Sequence, residues 1–99
     1  MSGLEYNTVV QPLLRYLNAL PNAKFINIHG GIYTERGTPD VLGSINGRLV
    51  AFECKKDQRR GPEAIQKRRI LEWRAAGAVA DWVSSVDQAI EIIKKEGLI

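Results

Sequence analysis

Three side chains near the middle of the 99-residue chain could do chemistry together: Asp40, Glu53 and Lys55. They flank Asn46-Gly47, which lies between two β-rich runs. Both residues of that pair tolerate the positive φ of a type I′ hairpin turn. If the loop is those two residues alone, Ile45 faces Arg48, and further along the ladder Asp40 falls opposite Glu53. Residues so paired have Cβ atoms roughly 5 Å apart. Lys55 follows Glu53 by two residues, so strand alternation carries it to the same face. Two carboxylates this close repel each other unless a cation lies between them. A divalent ion that takes oxygen ligands, Mg²⁺ or Mn²⁺, suits such a pair. A solvated Asp–Lys or Glu–Lys pair at a sheet edge would use the same residues, so the spacing by itself leaves both readings open.

The elements that must hold these groups can be read on either side. On the Asp40 face the hairpin carries Leu42, Ser44, Leu49 and Ala51; the other face carries Val41, Gly43, Ile45, Val50, Phe52 and Cys54. Both faces are mainly apolar, as in a central sheet covered on both sides by helices. Upstream, Val10, Leu13, Leu14, Leu17 and Leu20 form a helical stripe within a helix expected over residues 4–20. Pro12 interrupts it, so either the regular helix starts near Thr8 or Val9 or it kinks at Pro12. Glu5 then sits on the first turn or just ahead of it, where the helix dipole alone favours an acid. Residues 25–28 read as a strand and His29-Gly30-Gly31 as a break. The lone His29 reads as a strand-end histidine rather than a general base. Residues 32–36, with Tyr33 and Arg36, are a short strand or a loop leading to the Asp40 region.

Downstream, the polar loop after Lys55 leads to Pro62, expected in the first turn of a helix that runs to about Gly77. Gln66 shares a helix face with Ile70, Trp73 and Gly77, which turns its amide toward the sheet. There it either positions Lys55 or a phosphate, or serves as a cap or helix–sheet hydrogen bond. Residues 78–83 read as a last strand. Ser85 and Gln88 make a capping box for a final helix that buries Ala89, Ile90 and Ile93 and stops at Gly97. The order α-β-β-β-α-β-α predicts an α/β fold: a three-layer α/β/α arrangement around a small mixed sheet, with one right-handed parallel crossover.

Length and composition fit this plan. Ninety-nine residues suffice for one domain over 1–99, with a single modest core. Hydrophobic residues make up 44%, and no apolar run approaches the ~20 residues of a membrane span. The start lacks a secretory pattern and the single cysteine excludes an internal disulfide, so a cytoplasmic protein is expected. Net charge is a mild +3, but Lys55, Lys56, Arg59, Arg60, Lys67, Arg68 and Arg69 crowd one segment. A basic patch beside acids suits a polyanionic partner; a solvated helix face fits the charge pattern equally well.

Asp40 with Glu53-Cys54-Lys55 on the next strand resembles the PD-(D/E)xK nuclease core. More narrowly, Gly37-Thr38-Pro39-Asp40, Glu53-Cys54-Lys55, the downstream Gln66 and the early acid Glu5 are together similar to the VRR-NUC (virus-type replication-repair nuclease) family. The likeness spans nearly the whole chain. It implies a restriction-endonuclease-like α/β/α core and a divalent-metal-dependent DNA endonuclease. It also implies branched or flap DNA, such as four-way junctions, as substrate, and a homodimer with no small-molecule cofactor. Asp40, Glu53 and the backbone carbonyl of Cys54 would hold Mg²⁺ or Mn²⁺, with Glu5 assisting through water. Lys55 would orient the attacking water or neutralise developing charge, and Gln66 would support it. Arg36, Lys56, Arg59, Arg60 and Lys67 would grip phosphates. A nuclease fold kept as a DNA-binding or assembly module without cleavage is the second expectation, and the intact Asp40, Glu53 and Lys55 speak against it.

Overall fold

The computed structural model describes residues 6–28 and 34–99, with side chains from Thr8 onward. Glu5, His29 and Tyr33, and the expectations attached to them, lie outside the described residues. Strands β1 (Ala23–Asn27), β2 (Val41–Ile45), β3 (Arg48–Cys54) and β4 (Val79–Val83) form one sheet in the order β1-β2-β3-β4. The first three are antiparallel neighbours, while β3 and β4 run parallel across a helix, which makes the sheet mixed. Helices α1 (Gln11–Asn18) and α3 (Val86–Lys95) cover one face; α2 (Ala64–Ala75) covers the other. The arrangement is the expected three-layer α/β/α fold.

The two faces are unequal. On the α1/α3 side, Val41, Ile45, Val50, Phe52 and Cys54 meet Val9, Val10, Leu13, Leu17, Ala89 and Ile93 in a continuous buried cluster. Burying one such large side chain contributes roughly 1.5–3 kcal/mol. On the α2 side the buried set shrinks to Ala51, Ile70 and Ala80, with Leu42, Trp73 and Trp82 partly buried around it. The thinner layer is the one that carries Glu53, since Ala51 and Glu53 share a face.

Pro12 marks a change of helix type. Residues Tyr6–Val10 form a π-helical turn, and the regular α-helix begins at Gln11 with Pro12 in its first turn. There the proline's missing N–H interrupts no intrahelical bond, and the wider turn upstream relieves its ring of the carbonyl four residues back. Helix α1 ends at Asn18, short of Leu20. The Asn18 amide closes the outer edge of β1, accepting from Phe25 N–H (2.8 Å) and donating to Phe25 C=O (3.1 Å). The first strand accordingly begins at Ala23, two residues earlier than the apolar run indicates.

Two further boundaries differ. Glu63 is the N-cap of α2, so Pro62 precedes the helix instead of opening it. Gln88 N–H donates to the Ser85 hydroxyl as expected, but the Gln88 side-chain oxygen accepts from Ser84 N–H (2.7 Å), one residue upstream of the capping box. Ile90 is half-buried, whereas Ala89 and Ile93 are fully buried. Gly77 (φ +101°) and Gly97 (φ +74°) terminate α2 and α3 as expected.

Candidate active site

The hairpin has the predicted register. Asn46 (φ 52°) and Gly47 (φ 85°) form the two-residue turn, Ile45 pairs with Arg48 and Val41 with Phe52. The ladder ends at Val41, so Asp40 lies one step beyond it. That step is fixed from two sides. Ile28 N–H donates to the Asp40 backbone carbonyl (2.7 Å), and Cys54 N–H donates to Asp40 Oδ2 (2.9 Å). The Asp40 backbone therefore faces β1, which leaves Asp40 and Glu53 at a position without mutual backbone bonds, where side chains approach most closely. Instead of standing straight out from the strand, the Asp40 carboxylate leans over the end of β3. It supplies an acceptor for Cys54 N–H beyond the end of the β2–β3 ladder.

Glu53 is the one charged side chain buried among the described residues, 3% exposed. Its Oε2 accepts from Gln66 Nε2 at 3.3 Å, while Gln66 Oε1 accepts from Glu63 N–H at 2.8 Å. The amide thus serves as the anticipated cap and helix–sheet hydrogen bond together: its oxygen caps α2 and its nitrogen holds the Glu53 carboxylate. The bond goes to Glu53 rather than to Lys55. Lys55 N–H donates to Val83 C=O (2.9 Å), extending the β3–β4 pairing past Cys54, and its side chain is half-buried. The Cys54 thiol belongs to the buried cluster on the opposite face, so only its backbone carbonyl could reach a cation on the Glu53 side.

Among the described residues no three acids, histidines or cysteines come together. The donors that remain still fit a hard divalent cation in kind. Mg²⁺ is commonly held by one or two carboxylates, with water and substrate phosphate filling its other positions. Asp40 and Glu53 are such a pair, and no described residue bonds Asp40 Oδ1.

The lead-in to Asp40 is braced by α2. Gly37 adopts φ +80°, and a Cβ there would lie 2.8 Å from the Ile65 carbonyl oxygen, so this position requires glycine for both conformation and space. Arg69, one of the seven cations crowded into residues 55–69, is an anchor. Its side chain is 15% exposed; Nε bonds the Arg36 carbonyl and Glu35 (both 2.9 Å), and Nη1 bonds Glu72 (3.0 Å). Arg69→Ala should cost about 1–3 kcal/mol, read as a lower urea midpoint, because it leaves the Arg36 carbonyl and two carboxylates without this donor.

The other cations divide similarly. Arg68 pairs with Glu72 and Arg59 with Asp57. The side-chain bond from Arg59, with help from the Arg59 N–H, holds the Asp57 carboxyl below its ordinary pKa. Among the described residues no ion pair engages Lys55, Lys56, Arg60, Lys67 or the exposed Arg36. Lys56, Asp57, Arg59 and Arg60 line a polar depression of about 340 Å³ on the loop that leaves β3.

This geometry can be set beside known proteins. No family model and no curated protein matches the sequence. Solved structures do match. One described as "VRR_NUC domain" has 25% identity and a TM-score of 0.76, covering 94% of this chain and 97% of its own. A "VRR_NUC domain protein" has 19% identity and a TM-score of 0.70, covering 96% and 89%, and bears on the fold alone. The first of these matches supports a VRR-NUC family assignment. VRR-NUC is a nuclease-domain family, and the fold of the chain is the restriction-endonuclease-like α/β arrangement expected of it. No helix among the described residues is long and apolar enough to cross a membrane.

Proposed function

We propose that residues 1–99 act as a divalent-metal-dependent endodeoxyribonuclease, cutting branched DNA such as four-way junctions as a homodimer in the cytoplasm. The observation that carries this reading is the pair of acids at the end of the hairpin. Asp40, one residue ahead of β2, is fixed by Cys54 N–H, and Glu53, on β3 at the thin face of the sheet, by the Gln66 amide. Asp40, Glu53 and the Cys54 carbonyl would hold Mg²⁺ or Mn²⁺, with Glu5 as a further acid. A bound cation would supply neutralisation of charge at the scissile phosphate and activation of water.

The rest of the work falls to the chain itself. Gln66 keeps the Glu53 carboxylate aimed, and its own oxygen is pinned to the start of α2, so it cannot swing away without uncapping the helix. The Lys55 ammonium, on the Glu53 face by alternation, would stabilise negative charge on the phosphate or orient the attacking water. Lys56, Arg60, Lys67 and Arg36, which have no acidic partner among the described residues, would follow the DNA backbone, and Arg59 would do so in competition with Asp57.

Salt dependence tests the phosphate contacts. Each one lost should reduce the slope of log affinity against log salt by about 0.9. Arg60→Ala is expected to show that reduction, and Arg68→Ala, whose guanidinium already pairs with Glu72, to leave the slope unchanged. Function is tested by cleavage of linear, nicked, flap and four-way DNA with each cation, beside sedimentation of the protein alone. Cleavage favouring branched forms, by a dimer, supports the proposal. Salt-sensitive binding without cleavage of any substrate would favour the non-cutting DNA-binding module instead.

A further inference from the structure

We infer that the groove between α2 and the outer edge of β4 is a subsite for one unpaired nucleobase, with Trp82 as its stacking platform. The inference rests on the reading of the chain as DNA-binding and adds where a base, rather than a phosphate, is received.

The groove measures about 260 Å³ and is lined by Lys67, Ile70, Leu71, Arg74, Asp81 and Trp82. Drug-sized ligands occupy about 300–1,000 Å³, so this space suits a single flat ring system. Its α2 wall is a helical stripe, since Lys67, Ile70, Leu71 and Arg74 succeed one another at three, one and three residues. Ile70 forms a buried floor at 4% exposure, but Leu71 is 59% exposed, one of the few large apolar side chains left so among the described residues. Trp82 is half-buried, and the loop backbone at Gly61 lies against its ring, where an added Cβ would be 3.5 Å from it.

Charge and position specify the occupant. Asp81 and Arg74 are already tied together: Arg74 Nη2 pairs with Asp81 (3.2 Å), Arg74 Nε bonds Ala80 C=O (2.7 Å), and Asp81 Oδ1 accepts from Trp82 N–H (2.8 Å). Those bonds occupy Ala80 C=O and Trp82 N–H on the outer edge of β4, which disfavours an added strand there. Lys67 has no acidic partner among the described residues and stands at the groove next to Gln66 in sequence, the residue that holds Glu53. An apolar slot with an aromatic wall and one such ammonium at its rim matches a base with its own phosphate. Trp82 is moreover the ladder partner of Glu53, on the same face and one strand spacing of about 4.8 Å away. A base seated there would hang from the strand whose phosphate faces Glu53. Paired bases are stacked inside a duplex, so the subsite would reward DNA that has an unpaired nucleotide beside the cut.

The test compares two dye-labelled single strands by anisotropy: an oligothymidylate and an abasic strand of equal length and phosphate count. Stacking of a base on an aromatic side chain predicts about tenfold tighter binding of the thymidine strand by the wild type. Trp82→Ala, and Leu71→Glu at its exposed position, should each bring that ratio close to one, while Trp82→Phe should keep most of it. Because the ratio is taken within each variant, a general loss of folded protein or of charge attraction cancels. Equal affinities in the wild type, or a ratio untouched by both substitutions, would overturn the subsite while leaving salt-sensitive DNA binding intact. Absence of binding to either strand would overturn the DNA-binding reading together with it.

Discussion

Glu53→Gln is expected to lower the DNA cleavage rate by about 10³-fold or more, with fold and DNA affinity close to those of the wild type. The substitution keeps the size of a side chain that is 3% exposed, and an amide oxygen can still accept from Gln66 Nε2. It removes one of two carboxylates in a donor set too small to spare it. Asp40 calls for the same choice of replacement. Asp40→Ala would also take an acceptor from Cys54 N–H, costing about 1–3 kcal/mol of stability, and so confuse a lost ligand with a frayed hairpin. Asp40→Asn retains an oxygen at that place and isolates the charge. Single-turnover rates at saturating protein, with affinity measured separately, read both variants.

The largest stability effect is expected at Gly43. A Cβ there would sit 2.1 Å from the Lys24 carbonyl oxygen and 2.5 Å from the Phe25 ring, which lies across the strand from it. The carbonyl is backbone and the ring belongs to the buried core, so neither can yield without parting β1 from β2. Gly43→Ala should therefore cost about 3 kcal/mol or more. A melting temperature lower by more than about 10 °C is the corresponding readout for a domain of this size. Gly47→Ala is the control. Its φ is +85°, yet nothing lies within 4 Å of the added carbon. Only the left-handed backbone penalty of about 1–2 kcal/mol applies there. Equal losses at the two sites would mean that the crowding at Gly43 is relieved by small shifts.

The hairpin register was legible because Asn46-Gly47 admits one loop length, and that fixes every pair out to Val41 and Phe52. The layer order followed from two apolar faces and the alternation of element types. What could not be read was how the polar atoms divide among partners. Gln66 was recognisable as inward-facing, but whether its amide caps the helix or holds a carboxylate depends on Glu63 and Glu53 both lying within reach. Arg69 looked like its basic neighbours. Its partners Glu35 and Arg36 lie more than thirty residues upstream, a distance at which local spacing is silent, and Glu72 three residues on gave the one available hint. Pro12 signalled an irregularity in the first helix, but a π turn and a kink leave the same mark in sequence.

The role proposed for Asp40 and Glu53 is a cation-dependent cut of DNA. Its most direct test is cleavage of an end-labelled four-way junction in Mg²⁺ or Mn²⁺ by wild type and Asp40→Asn, at concentrations giving equal DNA occupancy. Cleavage by the wild type should stop when the cation is chelated, and Asp40→Asn should cleave at least about 10³-fold more slowly. Equal rates for the two proteins, or wild-type cleavage indifferent to chelator, would contradict it.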